Sequence, residues 1–225
     1  VDDTVAVLDV LAVCQNHGVK IGQPLQKGIR WLLGMQNDDG GWSAFDRNCN
    51  KQWMEKLPAN DMERTIVDPS TADITGRVVD FLIRNQVVSP GSRVIHKAIR
   101  WLQENQEADG SWYGRWGTTY IYGTWCVLKG LCTAGVSSGD AALQRSKDWL
   151  LQIQRGDGGF GESCESALAG TFIPLHISLP SQTSWGLDAL LHLYDVEKAP
   201  LEKHRLARAC QRAARYLLNS GENGV

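Results

Sequence analysis

Hydrophobic positions recur at helical spacing through most of this chain, and no stretch alternates convincingly between polar and apolar residues as a half-buried β-strand would. The pattern predicts eight helices whose ends are placed to within about 2–4 residues. They cover residues 4–16, 22–35, 71–87, 92–105, 120–135, 140–154, 182–195 and 202–219. The fold class is therefore predicted to be all-α.

The predicted helices are of two kinds. Segments 92–105 and 202–219 carry their apolar residues on one face, whereas segment 120–135 is apolar nearly all round. A helix without a polar face has to be buried on both sides. Alternation of the two kinds predicts inner and outer helices that close toward an (α/α) barrel, or toroid, and an open solenoid is the competing arrangement.

Three stretches repeat one pattern, in which a basic residue is followed by Trp four residues later, by Gln five residues after that, and by a Gly-rich turn that ends in an aromatic residue. Repetition at this spacing is typical of helical repeat proteins, whose units bury their apolar faces against their neighbours. The repeated residues are Trp31, Gln36 and Trp42, then Trp101, Gln106 and Trp112, then Trp149, Gln154 and Phe160. A partial fourth copy contains Arg212 and Tyr216.

The turns of the repeats are predicted to end the outer helices, because Asp-Gly and Gly-Gly supply the positive φ that stops a helix sharply. Their Gln and Trp side chains can hydrogen-bond and stack on the neighbouring repeat. We therefore interpret the repeated residues as structural braces rather than as catalytic groups. The long connections 43–70 and 161–181 are predicted instead to line or gate a cavity.

The composition is ordinary, with 43% hydrophobic residues and a formal net charge of −2, and it lacks the basic excess that nucleic-acid binding requires. No apolar run reaches the roughly 20 residues of a membrane-spanning helix, so attachment to a membrane surface is the association left open. The six cysteines show no C-x-x-C spacing, which favours free thiols in a reducing, cytoplasmic compartment. Because the chain starts at Val1 without a Met and its fourth repeat is cut off, we interpret it as a fragment incomplete at both ends.

Two polar clusters have a local structural explanation and a functional alternative. Asp2, Asp3 and Thr4 open an apolar helix, where they can cap its N-terminus and complement its dipole. Asp73 and Arg77 are spaced i, i+4, so a solvated helical ion pair of about 0.3–0.5 kcal/mol is the default. In the functional alternative, Arg77 is a cation oriented toward the acidic cluster at Asp2 and Asp3.

Residues 112–125 contain six aromatic side chains in fourteen positions. Such a density is compatible with core packing alone. The alternative is an aromatic-lined cavity for carbocations, in which each π-face contributes about 0.5–2 kcal/mol to a desolvated cation.

These features together resemble the squalene-hopene cyclase family, over essentially the whole chain. The repeats resemble the family's Gln-Trp motifs, and the run from Val1 to Thr4 resembles its D-x-D-D-T acid motif without the first Asp. The other matching runs are Asp109 to Gly117, Tyr122-Gly123-Thr124, Gly161-Glu162-Ser163-Cys164 and Pro180-Ser181-Gln182-Thr183.

Within this family the chain resembles most the tetraprenyl-β-curcumene cyclase (sporulenol synthase) branch. The discriminating run extends from Asp68 to Arg77, because typical squalene-hopene cyclases carry a His where Arg77 stands. Residues 60–65 also lack the Phe residues that are typical just before Asp68, which argues against full pentacyclisation of squalene. Tyr122-Gly123-Thr124-Trp125 and Ile173-Pro174-Leu175 resemble the same branch.

The resemblance implies that Asp2 is the general acid that protonates a terminal alkene of a linear or partly cyclised polyprenoid, either squalene or tetraprenyl-β-curcumene. Asp3 and the absent first Asp would be its hydrogen-bonding neighbours, and Arg77 the cation that orients the acid cluster. Because an Arg does not give up its proton, the return of a proton to Asp2 would need water.

The resemblance also assigns Phe45, Trp116 and Tyr122 to the wall that stabilises carbocations, whereas Trp42 is expected to be structural. No metal or organic cofactor is implied. The enzyme would be an isomerase, or a hydro-lyase acting in reverse if water terminates the reaction. Members of the family sit on one membrane face, a homodimer is compatible with this arrangement, and the piece would belong to the C-terminal catalytic barrel, with a second barrel domain outside it and no activity of its own.

Three other functions remain open from the sequence. A class II diterpene cyclase shares the acid motif but acts on a prenyl diphosphate and would need a basic, Mg²⁺-dependent pocket. An (α/α) barrel glycosidase would need a second carboxylate across a polar cleft, for which there is no specific candidate. A helical toroid that serves as a non-catalytic scaffold would use the aromatic residues only as core.

Overall fold

The computed structural model describes residues 1–51 and 67–222, and this part of the chain forms nine helices. Two isolated β-bridges, Cys49 with Asp68 and Glu162 with Pro174, are its only β-type pairs. The helices are α1 (Asp2–Asn16), α2 (Gln23–Gly34), α3 (Ala72–Arg84), α4 (Arg93–Glu104), α5 (Thr119–Thr133), α6 (Ala141–Ile153), α7 (Ser166–Ala169), α8 (Pro180–Val196) and α9 (Pro200–Glu222). The all-α prediction is confirmed, with the short α7 as the one helix that the sequence pattern did not indicate.

The helices lie in two layers, as their hydrophobic patterns predicted. Helices α3 and α5 are buried on nearly every side and contact each other, while α1 and α8 flank them. Helices α2, α4 and α9 turn an apolar face inward and pack on α1, α3 and α8 respectively. Helix α6 packs on α8 from outside, so apart from the short α7 the described helices alternate between the inner and the outer layer along the chain.

Each repeat Gln fastens its own turn to the next outer helix. The Gln36 amide donates to the Gly40 carbonyl and to the Val94 carbonyl of α4, both at 2.9 Å. Gln106 and Gln154 make the equivalent pairs of bonds, to the carbonyls of Gly110, Ala142, Gly158 and Ala209. One side chain thus satisfies two backbone acceptors that belong to different repeats.

The turn glycines allow this close approach. Gly110 has a φ of 98°, and a Cβ built on it would lie 2.6 Å from the carbonyl oxygen of Arg145, the basic residue that opens the next repeat. Gly40 and Gly158 are placed in the same way against Lys97 and Arg212. Both the backbone angle and the contact therefore require glycine.

The aromatic residues that end the turns fill the space between the layers. Trp42, Trp112 and Phe160 are fully buried. The indole nitrogens of Trp42 and Trp112 donate to the carbonyls of Leu32 and Leu102, at 2.9 and 2.7 Å. The first aromatic residue of each repeat is less uniform, because Trp149 is buried and Trp101 half-buried, while Trp31 is 45% exposed.

The two long connections pack onto the ends of the inner helices. Glu162, in connection 161–181, is buried and accepts hydrogen bonds at about 3 Å from the backbone amides of Thr119, Tyr120 and Ile121, the first turn of α5. In connection 43–70, the β-bridge between Cys49 and Asp68 joins the two described parts of the connection. Residues 60–65, which lack the Phe residues typical of the family at this place, lie outside the described residues.

Over residues 1–51 and 67–222, none of the helices combines the length and hydrophobicity needed to cross a lipid bilayer.

Replacing the Trp that ends a Gly-rich turn should destabilise the protein far more than replacing the Trp that lies in the helix of a repeat. We expect Trp112→Ala to lower the free energy of unfolding by about 3–5 kcal/mol, because it removes a fully buried ring and its hydrogen bond. For the half-exposed Trp31, the Ala variant should lose about 1 kcal/mol or less. Thermal and urea unfolding of the two variants would test this, and equal losses would contradict the burial difference.

Candidate active site

The first feature of the site is an ion pair between two inner helices. A terminal nitrogen of Arg77, in the middle of α3, contacts a carboxylate oxygen of Asp2, the first residue of α1. About 30% of each side chain is exposed, 29% for Arg77 and 31% for Asp2. The local i, i+4 pair between Asp73 and Arg77 is not what forms, so that interpretation of the sequence was wrong.

The acidic residues at the start of α1 do not act as side-chain caps either. The N-cap position is Val1, and no side chain caps the helix. Asp2 and Asp3 lie in the first turn, where the helix dipole still favours negative charge. Asp2 is turned toward Arg77, whereas Asp3 is exposed.

A close crossing of α3 and α5 brings Arg77 to a second partner, Tyr122. Gly76 packs directly on the backbone of α5 at Cys126, where a Cβ would overlap the carbonyl. As a result the Arg77 guanidinium lies 3.5 Å from the Tyr122 hydroxyl. Burial raises the pKa of Tyr122 well above its ordinary value, so this hydroxyl is a neutral phenol at physiological pH.

The charge on Arg77 is secure. Burial lowers its pKa, but the Asp2 carboxylate and Tyr122 raise it by more, and the net pKa lies above the ordinary value. Burial also raises the pKa of the fully buried Cys126 thiol, so no thiolate competes with Asp2 for the guanidinium. Arg77 is therefore a permanent cation in contact with the Asp2 side chain.

Asp73 is fully buried rather than solvated. Its carboxylate accepts hydrogen bonds of 2.9 Å from the backbone amides of Ile74 and Trp116. Burial raises its pKa, although the hydrogen bonds oppose the shift. Sequence reasoning missed this link, because i, i+4 spacing indicates only the local partner and gives no sign of a contact 43 residues away.

Two of the three predicted wall residues contact each other. The rings of Phe45 and Trp116 lie 5.5 Å apart in an edge-to-face arrangement. Phe45 is 69% exposed and Trp116 46% exposed. Large aromatic side chains left open as a pair are typical of a surface that receives a ligand or another part of a protein.

Tyr122, the third predicted wall residue, belongs to a separate aromatic group. Its ring centroid is 5.8 Å from that of Trp125 and 5.1 Å from that of Trp185 on α8. The two indoles stack at 6.1 Å, and the Trp125 nitrogen donates to Asp188 at 2.6 Å. Sequence reasoning did not identify Trp185. The available signal was its position three residues after Gln182, which belongs to the run that matches the family.

A cavity of about 130 Å³ adjoins Arg77 between α1, α3 and α5. Since a water molecule occupies about 30 Å³ in the liquid, it has room for several waters. At its rim Arg84 is paired with Asp9 at 2.7 Å and with Asp80 at 3.0 Å. Its lining comprises Val5, Ala6, Asp9, Arg77, Asp80, Phe81, Arg84, Trp125, Cys126 and Lys129.

Comparison with known protein families gives one match that spans the chain. The family model described as the squalene-hopene cyclase C-terminal domain matches residues 1–223. Sporulenol synthase of Bacillus subtilis is 47% identical over 190 residues, which cover 84% of this chain and 29% of that protein. A probable squalene-hopene cyclase of Sinorhizobium fredii is 36% identical over 228 residues, covering 100% of this chain and 34% of that protein. The chain thus spans about a third of the length of these relatives.

Solved structures share the fold at low sequence identity. The apo type II terpene cyclase MstE from Scytonema superposes with a TM-score of 0.61 at 16% identity, over 92% of this chain and 52% of that one. The ent-copalyl diphosphate synthase from Streptomyces platensis gives a TM-score of 0.52 at 23% identity, over 67% of this chain and 27% of that one. At these identities the likeness supports the helical toroid fold alone.

The raised pKa of Cys126 predicts selective thiol labelling. Only the thiolate reacts with iodoacetamide, and a raised pKa leaves less thiolate at pH 8. We therefore expect the exposed Cys164 to be alkylated in the folded protein while the fully buried Cys126 is spared. Peptide mass spectrometry would measure both, with urea-unfolded protein, in which both are labelled, as the control. Equal labelling before unfolding would contradict the burial of Cys126.

Proposed function

This chain belongs to the squalene-hopene cyclase family, and from that membership we propose that it carries the acid of an enzyme that polycyclises a hydrophobic polyprenoid by protonating a terminal alkene. The observation that carries the proposal is the contact of Asp2 with Arg77. The open aromatic pair of Phe45 and Trp116 supports it, because Ala44, next to Phe45, is bonded to Val1, and the Trp116 amide is bonded to Asp73 on the helix of Arg77. An alkene is a weak base, so its protonation requires an acid whose conjugate base is strongly stabilised.

In the first step the protonated Asp2 gives its proton to the terminal carbon of a trisubstituted alkene. The π electrons form the new C–H bond, a tertiary cation remains on the substrate, and Asp2 becomes a carboxylate. Arg77, which contacts Asp2, is the cation that pairs with this carboxylate. The developing negative charge then has a fixed partner at the moment it appears.

Ring closure follows by successive alkene additions, for which no further acid is needed. The protein contributes shape and aromatic faces, each worth about 0.5–2 kcal/mol to a desolvated cation. We assign the open rings of Phe45 and Trp116 to this wall, together with Tyr122, whose neutral phenol lies against Arg77. Loss of a final proton to water, or capture of water, would end the sequence.

Asp2 has to regain a proton before the next turnover. Arg77 cannot deliver it, because a guanidinium does not deprotonate in a protein. Water is the remaining carrier, and the cavity beside Arg77 has the size and the charged rim to hold it. The reaction balances when the proton lost by the last cation is matched by one returned to Asp2 through such waters.

The substrate that we favour is tetraprenyl-β-curcumene over squalene. Arg77 stands where typical squalene-hopene cyclases have a His, and the identity to sporulenol synthase, 47%, exceeds the 36% to the probable squalene-hopene cyclase. We also propose that the enzyme works at a cytoplasmic membrane surface, because such a substrate is insoluble in water. A homodimer would be compatible with this placement.

The proposal is tested on the full-length protein that contains this chain. Squalene and tetraprenyl-β-curcumene are supplied separately in detergent, and products are identified by mass spectrometry. We expect a polycyclic product from the curcumene substrate and a loss of at least about 10³-fold in rate for Asp2→Asn, which has no acidic proton to give. Hopene from squalene would overturn the substrate assignment, and chelator-sensitive turnover of a prenyl diphosphate would favour the diterpene cyclase alternative.

Arg77 should matter through its charge. Arg77→Gln removes the cation that pairs with the Asp2 carboxylate, so we expect turnover to fall by about 10–100-fold, which corresponds to about 1.4–2.7 kcal/mol of lost transition-state stabilisation. Arg100→Gln is the matched control, because it removes an equally charged residue from an exposed i, i+4 pair with Glu104 on α4. Wild-type turnover in Arg77→Gln would contradict the proposed orientation of the acid.

A further inference from the structure

One buried carboxylate holds the short segment that carries Phe45. Asp68, 7% exposed, accepts a 3.1 Å bond from the Ala44 amide through one oxygen. Its other oxygen accepts bonds of 2.5 and 2.8 Å from the amides of Phe45 and Asp46. Three successive backbone donors thus converge on a single side chain, and no regular secondary structure fixes this segment otherwise.

The same segment is tied to the acid helix. The backbone nitrogen of Val1, the residue before Asp2, donates to the carbonyl of Ala44. Ala44 is therefore hydrogen-bonded to the residue before α1 through its carbonyl and to Asp68 through its amide. The segment that carries Phe45 is therefore bonded both to Asp68 and to the residue that precedes the proton donor.

The partner ring is held from the same stretch of chain. Asp73, five residues after Asp68, accepts the Trp116 amide at 2.9 Å. Asp68, just before α3, and Asp73, in the first turn of α3, thus hold the backbones of Phe45 and Trp116, each through a carboxylate. Charge-assisted bonds of this kind are about twice as strong as neutral ones, and they are short and directional.

We propose that Asp68 is a positioning residue that sets where the Phe45 ring stands relative to Asp2, and thereby controls which intermediate cation the wall stabilises. This inference rests on the proposed function. Asp68 takes no part in proton transfer on this view and acts only through the segment 44–46. Its loss should alter the products more than the initiation of the reaction.

The competing explanation is that Asp68 is a staple of the fold alone. Glu162 is an example in this protein of a buried carboxylate that accepts three backbone amides, those of the first turn of α5, and it has no assigned part in the reaction. A purely structural Asp68 would change stability and the amount of active enzyme, but it would leave the ratio of products unchanged. The product ratio is therefore the measurement that separates the two.

The test uses the full-length protein with Asp68→Asn. In either orientation the new amide places its NH₂ against at least one of the three backbone donors, so the segment has to shift. We expect the share of partly cyclised products to rise about 2- to 30-fold, the range that corresponds to loss of one aromatic face. Asp157→Asn is the matched control, since Asp157 accepts the Gly159 amide and the Ser178 hydroxyl in the third turn, away from the aromatic pair.

A double variant asks whether Asp68 acts through Phe45. Phe45→Leu should shift the products in the same direction as Asp68→Asn, and the two together should shift them no further, because residues that act as a unit are not additive. Additive shifts, or a wild-type product ratio in Asp68→Asn, would overturn the inference.

If Asp68→Asn does not fold, Asp68→Glu decides, because it keeps the charge but displaces the segment by one methylene. Absence of any cyclic product from the wild-type protein would instead refute the proposed function, and the inference with it.

Discussion

The contact between each Gly-rich turn and the next outer helix is the constraint on which the rest of the structure depends. At Gly110 there is space for a hydrogen atom and for nothing larger, because the Arg145 carbonyl occupies the place of a side chain. The Gln106 amide then joins the two repeats through bonds to Gly110 and Ala142. The three turns share this geometry, and the backbone amide of the aromatic residue in each turn donates to a Thr hydroxyl of the next inner helix, so each turn also fixes where that helix begins.

The site follows from that geometry. Each turn ends at the start of the path into an inner helix, so the chain delivers its exposed residues to the same end of the inner layer. Phe45 comes three residues after the buried Trp42, and Trp116 four residues after the buried Trp112. The buried aromatic residues of the turns and the residues predicted to stabilise carbocations are therefore adjacent in sequence. Asp2 on α1 and Arg77 on α3 lie at the same end of the inner layer and contact each other.

Buried carboxylates complete the link between scaffold and chemistry. Asp68, Asp73 and Glu162 are each at most 7% exposed, and each accepts backbone amides from a segment distant in sequence. Burying a charge is costly unless it is hydrogen-bonded, and irregular segments leave amide donors that need acceptors. The two requirements satisfy each other here, which lets loops rather than helices carry the exposed aromatic residues Phe45 and Trp116 in fixed positions.

The sequence by itself determined what depends on local spacing. The helices, the repeats, the two layers and the family could all be predicted, because hydrophobic periodicity and turn chemistry act over a few residues. Only the tertiary structure decided the partner of Arg77, which is Asp2, 75 residues away, rather than Asp73 on its own helix. The local pair was expected on the premise of a solvated helix face, and the close crossing of α3 and α5 at Gly76 instead buries Asp73. Contacts of this separation depend on how whole helices pack, and no spacing along the chain records them.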